Sequence, residues 1–439
     1  MQNFLKTYFK GDTIIWMAYA LLLIISVVVM YSATSTIGNV QDSHISPLWS
    51  HVSYLIMGFV VLYVLYRYVP FVWLDKWTIA IYIFAVVILT IATLMGHSEN
   101  GASRWMSIAG VQFQPSEVAK FAVVLALSKL LTKYQNRKDG KTIDDVMKWF
   151  FLVLLPPCFL ILRENLSTCL LLLLVSFSLL FFARISWKMI GKIFGISALI
   201  VLLIFGSVKL LGEVDNTPTV DKKETVQQPN FITKNFHRVN TWVNRLSRFS
   251  EPLDSTYKIN DSNYQVSHAR IAVANGKWLG LGPGNSIERD FLPQAYADFV
   301  FAIIIEEYGL FSVFVILIYL ILFYRVGVLI HRNSTSCMQS FVVLGLACLI
   351  MYQALINIYV SVGFFPVTGQ PLPLISRGGT NIIMTSAYFG IILGISRNCQ
   401  IQESAEKQRK EKTPTPTVAE EAEKKTPDVV DVPTEVPTV

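Results

Sequence analysis

The sequence predicts an all-α polytopic membrane protein of about ten transmembrane helices, with one large outer loop and a disordered cytoplasmic tail. Three observations predict it. Of 439 residues, 53% are hydrophobic and only 15% charged, more apolar surface than a soluble fold can hide. Apolar runs long enough to cross about 30 Å of hydrocarbon recur along most of the chain. Basic residues cluster at alternate ends of those runs, as the positive-inside rule requires. A soluble enzyme, a secreted disulfide scaffold and a wholly disordered chain are excluded. The net charge of +7 is dispersed among the runs, so it reads as a topology signal and no nucleic-acid partner is expected.

In order, residues 1–12 read as a cytoplasmic N-terminus. Residues 13–211 hold seven spans, at roughly 13–31, 49–66, 75–95, 115–132, 147–163, 165–184 and 191–211. The first lacks a small-residue cleavage site and reads as a retained helix. This orientation places Lys6, Lys10, Arg67, Lys76, Arg184, Lys188 and Lys192 on the cytoplasmic side. Residues 212–298 form the large extracytoplasmic loop. Its first part, Gly212 to Asn230, is polar and mobile, whereas the second regains aromatics and an amphipathic helix from about Tyr264 to Asn275 that stops at Gly276. Residues 299–398 supply spans at 299–324, 338–362 and 378–397, and 399–439 read as the disordered tail. The five cysteines lie in or beside spans and imply no disulfide framework. The histidines form no metal-binding pattern, so no metal site is expected.

Three constellations carry chemistry. The first joins Asn100 to Trp105, with Arg104, to Gln114 through Lys120. Pro115 suits the start of a helix, and Glu117 suits its first turn, where exposed amides favour an acid. Lys120, three residues on, can pair with Glu117. The two form either a structural ion pair or part of a polar outward cleft, because an unpaired charge in hydrocarbon is expensive.

The second runs from Asp290 to Gly309. Asp298 sits where the large loop enters the eighth span, a place where a partly desolvated carboxylate can serve as a general base or merely cap an interface. Glu306 and Glu307 lie two turns deeper, and at least one must face the protein interior. Just before it, Tyr264 to Ser286 contains Gln265, Arg270 and a glycine-rich stretch. That stretch could offer amides to a phosphate but lacks the spacing of an ATP loop. Arg238, Arg245, Arg248 and Arg270 offer cations to an anionic substrate.

The third is Pro366 to Asn381, whose prolines and glycines break the backbone. Near a membrane such backbone is tolerated where protein shields it or where it lines a cavity. Gln370, Ser376, Arg377, Gly378 and Gly379 fall here, and Arg377 beside two glycines can clamp a phosphate.

Together and in this order, these motifs resemble the SEDS family (shape, elongation, division and sporulation) over about residues 12–398. The resemblance implies a peptidoglycan glycosyltransferase of ten helices that polymerises lipid II on the outer side of the plasma membrane. The family's essential aspartate falls on Asp298, which would activate a sugar 4-hydroxyl, and its helix-four glutamate falls on Glu117. Lys120, Glu306 and Glu307 then support a cavity, while Arg104, Gln265, Arg270, Gln370, Ser376, Arg377, Gly378 and Gly379 bind substrate. The implied partners are lipid II, a class B penicillin-binding protein transpeptidase and divisome membrane proteins. The division-type members are favoured over the elongation-type, which places the protein at the septum. No cofactor is assigned, and a divalent-cation requirement stays open. The chain departs from the family in two places: Asn165 to Thr168 lacks the usual aspartate, and Ser376 to Thr380 carries arginine where tyrosine is common. Two other classes compete, a lipid II flippase or other polyprenyl-lipid transporter and a non-catalytic scaffold for a transpeptidase.

Overall fold

The computed structural model describes residues 9–33, 46–95, 97–99, 102–108, 111–135, 143–162, 165–212, 259, 263–292, 295–332 and 336–412. Among the described residues seven helices precede the large loop: α1 (Thr13–Ala33), α2 (Ser46–Tyr68), α3 (Phe71–Met95), α4 (Pro115–Gln135), α5 (Ile143–Leu162), α6 (Leu166–Phe182) and α7 (Trp187–Gly212). Then come a loop helix α8 (Tyr264–Gly276), α9 (Val300–Tyr308), α10 (Val313–Arg332), α11 (Cys337–Ser361) and α12 (Gly379–Lys412). Among the described residues six stretches are long and apolar enough to cross a membrane: α1, α2, α3, the run containing α9 and α10, α11 and α12. Helices α5 and α6 are apolar but shorter, and α4 carries Glu117, Lys120, Lys129 and Lys133.

Between α3 and α4 the chain adds what the helical pattern does not reveal, an antiparallel meander of β1 (His97–Glu99), β2 (Ala102–Ile108) and β3 (Val111–Phe113). In this meander Ile108 of β2 pairs with Val111 of β3. The meander leads into Pro115 at the first position of α4, where a missing N–H costs nothing.

Helix α11 occupies the centre. Every residue from Val342 to Met351 is buried, as expected of a helix apolar on all sides, and it packs against α4, α6, α9, α10 and α12. Helix α12 lies along α2 through small residues. A Cβ at Gly390 would stand 2.7 Å from the Leu62 carbonyl oxygen, and one at Gly58 would stand 2.6 Å from Ser386 Oγ. Gly390 and Gly394 form a small-xxx-small pair that lets the two backbones approach.

At the end of the bundle where α1 begins, Asp12 ties three helices together. Its Oδ1 accepts the Ile14 N–H at 2.9 Å, its own N–H donates to Ser396 Oγ at 2.9 Å, and its Oδ2 accepts from Arg325 Nε at 3.0 Å.

Two expectations need correction. The eighth span is not one helix over 299–324: Gly309, at φ +55°, ends α9, a 3₁₀ turn covers Gly309–Ser312, and α10 starts at Val313. The glycine-rich loop after α8 causes the break. Leu281 and Gly282 N–H donate to the Glu306 and Glu307 carbonyls at 2.9 and 3.0 Å, and Leu310 N–H donates to the Trp278 carbonyl at 2.9 Å. A side chain at Gly309 would collide with Trp278, its Cβ 2.6 Å from that carbonyl oxygen. Those amides therefore close the end of α9 and are not available to a phosphate.

The last helix also runs past 397, through the stretch from 399 expected to be disordered, and reaches Lys412. Its final turns are Glu, Lys, Gln, Arg and Ala, strong helix formers, and Pro414 lies just beyond. The expected mobile stretch Gly212 to Asn230, apart from Gly212, and the cations Arg238, Arg245 and Arg248 lie outside the described residues.

Candidate active site

The segment between α11 and α12 turns back into the protein, and it explains how broken backbone is tolerated at this depth. Leu372, Leu374 and Ile375 are fully buried, and Leu374 takes φ +63°, a conformation an apolar L-residue adopts only when its surroundings enforce it. Side chains from different helices satisfy the carbonyls. Asn357 Nδ2 donates to Gln370 O at 2.8 Å and Gln353 Nε2 to Pro371 O at 3.0 Å, both from α11. From α10, Tyr319 OH donates to Pro373 O at 2.5 Å, and from α1, Ser26 Oγ to Ile375 O at 3.3 Å. Each is a polar group that would otherwise be stranded in an apolar interior.

This segment holds the turn before α9 in place. Arg377 N–H donates to Tyr296 O at 2.9 Å, Ser376 Oγ to Ala297 O at 2.6 Å, and Asn357 Nδ2 to Asp298 O at 2.9 Å. The half-buried Asp298 carboxylate faces Gly369, at φ +67°, where a Cβ would come to 3.5 Å from Oδ2. The Arg377 guanidinium lies over the Tyr296 ring, 5.5 Å from its centroid. The Asp298 carboxylate and the Arg377 guanidinium thus both lie at this one turn of backbone, the first a group that can act as a general base and the second one that can bind an anion.

A second polar layer connects to the first through Gln353. Glu117 and Lys120, 3% and 1% exposed, form an ion pair of 2.9 Å on the first turns of α4. Lys120 Nζ also donates to Gln353 Oε1 at 3.2 Å, and Gln353 Nε2 reaches Asn381 Oδ1 at 3.2 Å as well as Pro371 O. Gln114 N–H donates to Thr380 Oγ1 at 3.1 Å, which fixes the entry to α4 against the start of α12.

Other expected residues lie elsewhere or do other work. Glu306 accepts from Asn275 Nδ2 at 3.0 Å, from the Glu288 N–H at 3.2 Å and from Ser286 Oγ, so it staples the loop after α8. Glu307 accepts from Ser32 Oγ at the far end of α1. Gln265 is exposed on α8, and Arg270 packs on Gly363, where a Cβ would approach its Nε to 3.0 Å. Gln370 donates to Thr168 Oγ1 at 2.8 Å and is buried. Ser376 is wholly buried, its hydroxyl accepting from Leu372 N–H and donating to Ala297 O. Gly379 lies under Tyr54, 2.6 Å from where a Cβ would be, and Gly378 stays partly open beside it. Arg104 belongs to β2, and its side chain lies outside what the structure describes.

At the position lacking the family's usual aspartate, Asn165 Oδ1 caps α6 by accepting from Ser167 N–H at 3.1 Å and Thr168 N–H at 3.4 Å. Asparagine caps about as well as aspartate, so the local structure needs no carboxylate there.

Sequence reasoning missed Gln353 and Asn357. Their signal was legible: with Ser361 they are polar residues four apart along an otherwise apolar span, one stripe on one face. Among the described residues no group of three or more His, Cys, Asp or Glu could hold a metal ion. Two apolar cavities of about 420 and 430 Å³, one between α4, α6, α10 and α11 and one between α5, α6 and α7, do not include Asp298.

The chain resembles known proteins over most of its length. A probable peptidoglycan glycosyltransferase FtsW of Haemophilus influenzae is 30% identical over 325 residues, 73% of this chain and 74% of that one. The peptidoglycan glycosyltransferase MrdB of Escherichia coli is 27% identical over 378 residues, 85% and 92% of the two chains. In a solved peptidoglycan synthase complex, described for its coordination of polymerization and crosslinking, one chain shares the fold with a TM-score of 0.65 at 22% identity, covering 89% of this chain and 98% of that one. The rod shape determining protein RodA of Thermus thermophilus does so with a TM-score of 0.59 at 21% identity, covering 88% and 97%. The FtsW, RodA and SpoVE family model, described as cell cycle protein, matches residues 12–401. With that match lying over the whole helical body, from the Asp12 cap of α1 to α12, the chain belongs to this family, the SEDS proteins.

Proposed function

We propose that the chain is a peptidoglycan glycosyltransferase that polymerises lipid II at the outer face of the bacterial inner membrane, with Asp298 as general base. The observation that carries this reading is the Asp298 turn, in which a partly exposed carboxylate stands on backbone pinned from three sides. The names of the FtsW and MrdB relatives support the reaction class.

In this reaction the acceptor's sugar 4-hydroxyl attacks the anomeric carbon of the donor. Asp298 takes the hydroxyl proton as the new C–O bond forms, and the bond to the lipid pyrophosphate breaks with its electrons going to the leaving phosphate oxygen. A positioned carboxylate of this kind contributes about 10²–10⁴ in rate. Arg377, with Gly378 open beside it, is placed to meet the negative charge that grows on the pyrophosphate. The buried Glu117–Lys120 pair holds α4 against the re-entrant segment through Gln353 and has no direct part in proton transfer.

Reading α4 to α7 as spans beside the six apolar stretches gives ten spans, with α9 and α10 together forming one. With the N-terminus cytoplasmic, Asp298 then faces outward. The synthase complex among the structural neighbours supports a class B penicillin-binding protein as partner, and the FtsW relative supports a role at the septum.

The test is polymerisation of labelled lipid II by purified protein, alone and with its transpeptidase, beside transbilayer movement of lipid II in liposomes. Glycan chains from the wild type and none from Asp298→Asn are expected. Movement without polymerisation would make the protein a transporter, and neither activity in the presence of the transpeptidase would make it a scaffold.

A further inference from the structure

Two polar side chains outside the reaction itself hydrogen-bond the backbone carbonyls on either side of the Asp298 Cα. The peptide unit is planar, so the orientation of a Cα–Cβ bond is set once the planes on either side of that Cα are fixed. Both planes flanking the Asp298 Cα are held. The plane before it carries the Ala297 carbonyl, which accepts from Ser376 Oγ at 2.6 Å, and the plane after it carries the Asp298 carbonyl, which accepts from Asn357 Nδ2 at 2.9 Å.

The holders are themselves rigid. Asn357 is fully buried on α11, the central helix, and Ser376 is fully buried in the re-entrant segment, where it accepts the Leu372 N–H at 2.8 Å. Asn357 uses one nitrogen for two carbonyls, Asp298 O, 59 residues before it in sequence, and Gln370 O, 13 residues after it. An amide NH₂ supplies two donors on one atom, which a hydroxyl or a carboxylate cannot.

We infer that Asn357 and Ser376 are positioning residues that aim the Asp298 carboxylate at its substrate, which reassigns Ser376 from substrate contact to support of the base. The inference rests on the reading of Asp298 as general base. It explains why a buried serine and a buried asparagine converge on carbonyls either side of one carboxylate-bearing residue. Releasing either plane lets the Cα–Cβ bond tilt and shifts the carboxylate with it, and a displacement of about 1 Å is enough to cost about 10²-fold in turnover.

The experiment compares Asn357→Ala, Ser376→Ala and Asp298→Asn with the wild type in reconstituted polymerisation with the transpeptidase partner. It reads kcat, KM for lipid II, the acidic limb of the pH–rate profile and the melting temperature. The positioning variants are expected to lose about 10–10²-fold in kcat with KM little changed and with the acidic limb displaced, because a redirected carboxylate meets a different environment. A merely structural role predicts lower melting temperature and abundance, with kcat per folded molecule and the acidic limb as in the wild type, and that result overturns the inference. If Asn357→Ala does not reach the membrane folded, Asn357→Ser retains a single donor and carries the same readout. Normal turnover by Asp298→Asn would instead remove the general-base reading beneath the inference. Collapse of Asp298→Asn with wild-type kinetics in both positioning variants would remove the inference alone.

Discussion

Arg377 and Tyr296 hold each other twice: the arginine N–H donates to the tyrosine carbonyl at 2.9 Å, and its guanidinium lies 5.5 Å from the centre of the tyrosine ring. The arginine that replaces the family's common tyrosine at this position is therefore seated on an aromatic ring contributed by the Asp298 turn. Substitution there should change two things separately, the charge available to a pyrophosphate and the stacking that orients it.

Arg377→Lys keeps the charge and the backbone bond but loses the planar fork, so lipid II should bind about 10-fold more weakly, the worth of one hydrogen bond to a charged group. Arg377→Ala should bind more weakly still. Binding to lipid II in nanodiscs checks this, and equal affinity in all three proteins would remove Arg377 from substrate recognition.

Asp298→Asn keeps the shape of the side chain and removes its basic oxygen. Turnover should fall by about 10²–10⁴-fold at unchanged melting temperature. Asp298→Glu keeps the charge one methylene away and should still lose most activity, because the reacting atoms must meet at close range. Glycan chains per folded molecule are the quantity to measure.

Glu117→Gln leaves Lys120 charged and unpaired at 1% exposure. Breaking a buried pair this way costs about 3–5 kcal/mol, whereas Glu117→Gln combined with Lys120→Met should recover much of it. Thermal unfolding of the single and double variants decides. A single variant as stable as the wild type would mean the pair contributes nothing to holding α4.

Gly390→Ala should destabilise the α2–α12 contact by about 1–3 kcal/mol, since its Cβ would stand 2.7 Å from the Leu62 carbonyl oxygen. Gly394→Ala should be nearly neutral, because there the nearest atom would be 3.7 Å away. Melting temperatures of the two variants compare positions one turn apart on the same helix. Equal effects would show that helix propensity, not close approach, governs both sites.

Sidedness follows from the charge placement. With Cys337 replaced by serine, a cysteine at exposed Gln265 should react with an impermeant reagent from outside the cell, and one at exposed Gln408 only after permeabilisation. The reverse pattern would put Asp298 on the cytoplasmic side and end the outer-face reaction.

Composition and periodicity determined the membrane body and the approximate helices, and they marked Asp298, Glu117, Lys120 and Arg377 as candidates. The reason is local: hydrocarbon tolerates only long apolar helices and a few charges, so both features are written in contiguous residues. The tertiary structure decided what each polar group does. Glu306 and Glu307 looked like companions of Asp298 at helical spacing, yet Glu306 staples a loop and Glu307 meets Ser32, because the glycines at 280, 282 and 309 bring a second backbone onto the end of α9. Ser376 looked like a substrate ligand and is buried under Ala297, while Asn357 and Gln353, which sequence reasoning passed over, hold the re-entrant backbone. A hydrogen-bond partner hundreds of residues away, such as Lys120 for Gln353, leaves no mark in the local pattern of either helix. Only the packing of α4 against α11 places the two within 3.2 Å and turns separate polar residues into one connected layer.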